Sequence, residues 1–83
     1  MAHIDRQDTY QKVASVIAKQ LSIDATSIKG SDTLQDLGAD SIALVEIIMK
    51  LEELFSIEIN DEKAEHLKNV DDVVNYVHSL RAE

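Results

Sequence analysis

Apolar residues recur along the chain at intervals of three and four, the repeat of α-helices that are buried on one side. The first such series predicts a helix from about Ile4 to Gln20. A second, longer series predicts a helix from Ser41 to Phe55, and a third predicts one from about Val70 to Leu80. The apolar positions of the three series are, in order, Tyr10, Val13, Ile17 and Leu21; Leu44, Ile47, Ile48, Leu51 and Phe55; and Val70, Val73, Val74 and Val77.

Polar residues at two of the expected helix starts support this division. Asn69 is followed three residues later by Asp72, a variant of the capping box, at the start of the last helix. Between the second and last helices, either Asn60 or Asp61 can cap one short helix that ends near His66. The pattern therefore predicts three principal helices and one short helix.

The segment from Leu21 to Asp40 has no helical period and contains both glycines of the chain. A loop of about twenty residues needs anchors in a compact domain, and long ordered loops are often functional. Four separated apolar residues can pin this loop onto the helices, and they are Ile23, Ile28, Leu34 and Leu37. We therefore expect an all-α fold, a small antiparallel bundle with a long first loop.

Composition and charge exclude several classes of function. Sixteen acidic residues against eight basic ones give a net charge of −8, which argues against a nucleic-acid partner and favours basic partners. The charge is polarised, because residues 1–30 carry +1 and residues 31–83 carry −9. The chain has no cysteine, and its longest apolar run is four residues, too short for an integral membrane segment. We expect a monomer in the cytoplasm.

One apolar series on the second helix does not belong to the core pattern. It repeats at helical spacing but is rotated away from the core stripe and is interleaved with glutamates. Such a line suits the docking of basic, partly apolar partners, although a helix packed on all sides would show the same residues. Periodicity leaves both interpretations open. The apolar positions are Ile42, Val45 and Met49, and the glutamates are Glu46, Glu52 and Glu53.

Ser41 follows Asp40 at the start of the predicted second helix. A serine there usually caps the helix or fills its first turn. A hydrolase nucleophile is poorly supported, because the chain lacks a Gly-x-Ser-x-Gly elbow and offers only three histidines as a base. A calcium loop that began at Asp36 would place Gly38 and Ile47 at ligand positions. The residues therefore predict neither a catalytic site nor a metal site.

The segment from Asp36 to Ile42, with the sequence DLGADSI, closely resembles the attachment motif of the acyl carrier proteins. The resemblance covers nearly the whole chain, so residues 1–83 are expected to form one acyl-carrier domain. Ile42 replaces the usual leucine, and Asn60 replaces a common proline. Further matching segments are Val45-Glu46, Leu51-Glu52-Glu53, Phe55, Ile57-Glu58-Ile59, Asp61-Glu62 and Ala64-Glu65.

The resemblance implies a carrier and not an enzyme. A partner phosphopantetheinyl transferase would attach 4′-phosphopantetheine covalently to Ser41, and Asp40 would assist recognition by that transferase. Acyl groups would then be carried as thioesters in fatty acid biosynthesis, between enzymes with basic docking patches. The docking residues expected on this chain are Ile42, Val45, Glu46, Met49, Glu52, Glu53, Asp61, Glu62 and Glu65.

In this family an acyl chain can fold back between the second helix and the short one. Residues at core-facing positions of these elements are expected to line that space, although they would also serve as ordinary core residues. They are Leu44, Ile47, Ile59, Ala64 and Leu67.

Two other functions remain open at this stage. Because the chain begins with Met1 and shows no linker to a larger synthase, a discrete carrier of fatty acid biosynthesis is favoured. A carrier of a polyketide, nonribosomal or other specialised pathway would keep the same arm. An unmodified acidic helical adaptor would have none.

Overall fold

The structure, a computed structural model, describes residues 5–81. It contains a short 3₁₀ turn at Ala25–Ser27, and its four α-helices are α1 (Arg6–Leu21), α2 (Ser41–Phe55), α3 (Asp61–Glu65) and α4 (Val70–Arg81). The predicted bundle of three principal helices and one short helix is confirmed. α1 and α4 each end one residue later than expected, and the predicted start at Ile4 lies outside the described residues. None of the described helices has the length and hydropathy needed to span a membrane.

The predicted apolar faces of α1, α2 and α4 form the core. α1 packs against both α2 and α4, and the four valines of α4 are completely buried. The 0% exposed residues of α1 and α2 are Thr9, Val13, Ile17, Ile47 and Leu51. The small aliphatic side chains fill the space between the helices without any tryptophan.

The long loop before α2 is anchored by the four apolar residues expected to do so. Leu34 is 1% exposed and Ile28 is buried with it in the core, while Ile23 and Leu37 pack against its edge. The 3₁₀ turn in this loop was not predicted. It forms because the carboxylate of Asp24 accepts a hydrogen bond from the backbone N–H of Thr26 at 3.0 Å, a local contact that apolar periodicity does not reveal.

The backbone of the same loop pairs with the start of α4. Three hydrogen bonds join Leu34 N to the Lys68 carbonyl, Val70 N to the Asp32 carbonyl, and Asp71 N to the Gly30 carbonyl, at 3.0, 2.9 and 2.9 Å. A Cβ atom at Gly30 would lie only 2.6 Å from Cγ of Asp71. A side chain at position 30 would therefore displace the Asp71 carboxylate from its place beside the loop.

Two helix starts are capped as the sequence indicates. Asp72 N–H donates to Oδ1 of Asn69 at 2.7 Å, and Asn69 N–H donates to Oδ2 of Asp72 at 3.3 Å, which is a reciprocal capping box. For α3, Asn60 rather than Asp61 is the cap, and its Oδ1 accepts from Lys63 N–H at 2.8 Å.

A polar cluster ties the beginning of α1 to the end of α4. Arg81 donates to Oγ1 of the fully buried Thr9 at 2.8 Å and pairs with Oδ2 of Asp8 at 3.1 Å. Its guanidinium lies 4.9 Å from the ring centre of Phe55 on α2. Hydrogen bonds from Lys12 and Arg81 hold the pKa of Asp8 below its usual value.

We expect Arg81→Ala to lower the free energy of unfolding by about 2 kcal/mol, because it removes a charged donor from a buried hydroxyl and the packing on Phe55. Urea denaturation at neutral pH measures this loss. Lys12→Ala is the control, since it breaks only an exposed ion pair to Asp8 and should cost less than about 0.5 kcal/mol. Equal losses in the two variants would contradict a special role for Arg81.

Candidate functional site

Ser41 is the first residue of α2, and its side chain is exposed. The helix is capped by the residue before it, because Oδ1 of Asp40 accepts from Ala43 N–H at 2.8 Å. The carbonyl of Asp40 also accepts the first helical hydrogen bond, from Leu44 N–H at 2.9 Å. Since Asp40 supplies the cap, the hydroxyl of Ser41 is not needed for it.

The turn that leads into α2 depends on Gly38. Its φ angle is +103°, a conformation that residues with a side chain rarely adopt. The turn is closed by a hydrogen bond from Ala39 N–H to the Leu34 carbonyl at 3.0 Å. Ser41 is thereby placed at a helix N-terminus whose free N–H groups and positive dipole end favour a phosphate. A phosphodiester on Ser41 Oγ therefore fits this position sterically and electrostatically.

The second apolar series of α2 is exposed. Ile42, Val45 and Met49 have exposed fractions of 69, 58 and 54%, so the interpretation that they complete a wide core is wrong. Leu54 is also 52% exposed, although the apolar period of α2 does not indicate its exposure. It lies beside Val16 of α1 in a separate groove, and sequence periodicity places it next to the core stripe.

Five of the six glutamates and aspartates expected to dock partners are exposed: Glu46, Glu53, Asp61, Glu62 and Glu65. Glu46 also accepts a hydrogen bond from Nε2 of Gln20 at 2.7 Å. Glu52 differs, because it is half-buried and its Oε2 accepts from Ile59 N–H at 2.9 Å. The basic residues of α1, by contrast, are exposed on that helix, and they are Arg6, Lys12 and Lys19.

Two cavities adjoin Ser41, and Ser41, Leu44 and Ala64 line both of them. The smaller cavity, about 220 Å³, lies between α2 and α3 and is largely apolar. Its remaining lining residues are Val45, Ile48, Met49, Glu52, Ile59 and Asp61. The larger cavity, about 480 Å³, lies between the long loop and α3 and has a more polar lining. Its remaining lining residues are Thr33, Leu34, Gln35, Ala39, Asp40, Glu65, Leu67 and Lys68.

The residues expected to line an acyl site therefore do not share one cavity. Leu44 and Ala64 line both, Ile59 lines the smaller and Leu67 lines the larger. Ile47 lines neither cavity and is 0% exposed within the core.

α3 contributes to the walls of both cavities. None of its five residues is buried, so little apolar contact resists its displacement. The smaller cavity is below the range of about 300 to 1,000 Å³ typical of ligand pockets. A bound hydrocarbon chain would have to widen it, and α3 is the element best able to yield.

Comparison with known proteins identifies the family to which the chain belongs. The phosphopantetheine attachment site family matches residues 11–77. An acyl carrier protein from Clostridium acetobutylicum is 56% identical over 69 residues, 82% of this chain and 90% of that protein. One from Campylobacter jejuni subsp. doylei is 51% identical over 74 residues, 88% of this chain and 96% of that protein.

A solved structure of an acyl carrier protein from Enterococcus faecalis superimposes with a TM-score of 0.76 at 36% identity, over 92% of this chain and 98% of that one. Fold and sequence therefore agree along the region that contains the exposed serine. The chain belongs to the acyl carrier proteins, which are carriers and not enzymes and which bear covalently attached phosphopantetheine.

Proposed function

We propose that this protein carries acyl groups in fatty acid biosynthesis on a 4′-phosphopantetheine attached to Ser41. The observation that carries the proposal is the exposed Ser41 at the first position of α2, beside a separate capping residue. When bound, the arm supplies a thiol that holds acyl groups as thioesters. Relatives that are about half identical bear the name acyl carrier protein, which favours acyl groups as the cargo.

Ser41 and Asp40 have different tasks in attachment of the arm. Ser41 Oγ would attack the phosphorus of coenzyme A that bears the pantetheine group, and its proton would pass to a base of the phosphopantetheinyl transferase. The bond from that phosphorus to the bridging oxygen of the pyrophosphate would break, and adenosine 3′,5′-bisphosphate would leave. Oδ1 of Asp40 is occupied by the helix cap, which leaves Oδ2 to contact the transferase. The cap holds the carboxylate one residue from the reacting hydroxyl, so both groups are presented together.

We assign partner docking to the exposed apolar stripe of α2 and to the exposed acids of α2 and α3. The apolar side chains supply a centre that can be desolvated, and the acids attract basic patches on the partner enzymes. Ile42 is next to Ser41, so a partner bound here also reaches the arm. The same excess of acids opposes self-association, in keeping with a monomer that works in the cytoplasm.

We assign the acyl chain to the smaller cavity, because its lining is mostly aliphatic and Ser41 lies at its edge. Each methylene group buried there contributes up to about 0.8 kcal/mol, less the free energy needed to move α3. The larger cavity presents charged side chains of Glu65 and Lys68 and is the poorer environment for a hydrocarbon.

Incubation with coenzyme A and a phosphopantetheinyl transferase should add one phosphopantetheine to the wild type and none to Ser41→Ala. The variant should keep its fold, because Asp40 and not Ser41 caps α2. Intact mass and peptide mapping measure the modification, and Ser56→Ala is the matched control that should still be modified. An unmodified wild type would favour the plain acidic adaptor, and an arm mapped to another serine would refute the assignment.

Glu53→Lys should slow association with a basic partner enzyme at low salt, and the difference should shrink as salt rises and screening shortens to about 8 Å. Stopped-flow association rates at several salt concentrations measure the effect. Glu58→Lys makes the same change of charge at an exposed position outside α2 and α3 and should slow association less. Equal rates for Glu53→Lys and the wild type would place docking elsewhere.

Melting temperature should rise in steps from the free-thiol form through short to medium saturated acyl chains, because only the folded state offers the cavity. The backbone amide signal of Ile59, in the smaller cavity, should shift with chain length more than that of Leu67, in the larger one. Differential scanning calorimetry and NMR measure the two effects. A constant melting temperature with unchanged amide signals would leave the chain in solvent.

A further inference from the structure

Glu52 is bound to the connection between α2 and α3 through both its side chain and its backbone. Its Oε2 accepts from Ile59 N–H at 2.9 Å. Its carbonyl oxygen accepts from Ser56 N–H, which ends the helix in a left-handed conformation, and from Ile57 N–H at 3.2 Å. Three N–H groups of one short connection therefore converge on a single residue.

Ile59 is the buried residue of this connection, at 5% exposure, and it directly precedes Asn60, the cap of α3. Because α3 has no buried residue of its own, its first turn is held against the bundle mainly through Ile59. Glu52 and Ile59 also line the same small cavity. The hydrogen bond between them therefore fixes the distance between two walls of that cavity.

We propose that Glu52 is a positioning residue that sets the width of the acyl cavity, rather than a carboxylate that docks partners. Its carboxylate holds Ile59 and the start of α3 against α2. Loss of this bond would leave a part-buried N–H without its acceptor and allow α3 to move outward. The cavity would then admit longer chains, an inference that rests on the proposed function for its ligand.

The neighbouring Glu53 provides a matched comparison. It has the same charge and lies on the same helix, but it is exposed, whereas Glu52 is half-buried and hydrogen-bonded. Glutamine at position 52 removes the charge and retains a side-chain oxygen that can accept from Ile59 N–H. Alanine removes both, so the two substitutions separate the hydrogen bond from the charge.

The decisive measurement is amide hydrogen exchange at Ile59 in the phosphopantetheine-bearing protein with a free thiol. Glu52→Ala should speed exchange at Ile59 about 10-fold, whereas Glu52→Gln and Glu53→Ala should leave it within about 2-fold of the wild type. Unchanged exchange in Glu52→Ala would overturn the proposal. Equally fast exchange in Glu52→Gln and Glu52→Ala would also overturn it, because the bond and not the charge is required.

Two further readings test the consequence for cargo and for docking. In Glu52→Ala the rise of melting temperature should continue to acyl chains at least two carbons longer than in the wild type or Glu52→Gln. Glu52→Gln should slow association with the phosphopantetheinyl transferase less than Glu53→Gln does. Equal slowing by these two variants would indicate that Glu52 docks partners as Glu53 does, and it would overturn the proposal.

The failure of the proposed function has a different signature. If the wild type shows no rise of melting temperature with chain length, the acyl cavity is refuted, whatever the behaviour of Glu52. Fast exchange at Ile59 confined to Glu52→Ala would still support the hold of Glu52 on the start of α3.

Discussion

The arrangement of this protein depends on the fastening of its long first loop to the start of α4. Leu34 of the loop is buried, and backbone hydrogen bonds join the loop to Lys68, Val70 and Asp71. These contacts fix the path of the loop. That path ends in the left-handed Gly38 and in Asp40, which caps α2. The position of Ser41 is therefore determined by the contacts between the loop and the start of α4. The helix cap is made by Asp40 and does not use the Ser41 hydroxyl.

α3, by contrast, has no buried residue of its own. The buried apolar side chains belong to α1, α2, α4 and the segments that connect the helices, and none of them belongs to α3. α3 is attached by the residues on either side of it, Ile59 and Leu67, which are 5% and 8% exposed. The proposed acyl site lies beside this helix, where the packing that its opening would remove is small.

Helices α1, α2 and α4 were predictable because their apolar periods are local properties of the sequence. The four loop anchors were predictable for a different reason, since a loop of about twenty residues in a compact domain needs apolar contacts to hold it in place. The partners of the loop were not, because its backbone pairs with residues about forty positions away in the chain. The hydrogen bond between Thr9 and Arg81 was not predictable either, because it joins opposite ends of the described chain.

The candidate site shows the same division. The motif around Ser41 could be identified from its residues, but periodicity could not decide whether Ile42, Val45 and Met49 were buried. Glu52 and Glu53 are equivalent in sequence, and only the fold brings Ile59 N–H to the first of them. Sequence periodicity therefore cannot predict a side-chain role that depends on one hydrogen bond between separate elements.

The unequal placement of charge has a consequence for encounters at a distance. The side chains of α1 carry a net charge of +2, whereas those of α2 and of α3 carry −2 each, after Lys50 and Lys63 are counted. This uneven distribution of charge gives the molecule an electric dipole moment. In the field of a positively charged enzyme it experiences a torque that turns α2 and α3 forward while the two proteins are still separated by solvent. If partners dock on α2 and α3 as proposed, this orientation would increase the share of encounters that begin at the docking surface.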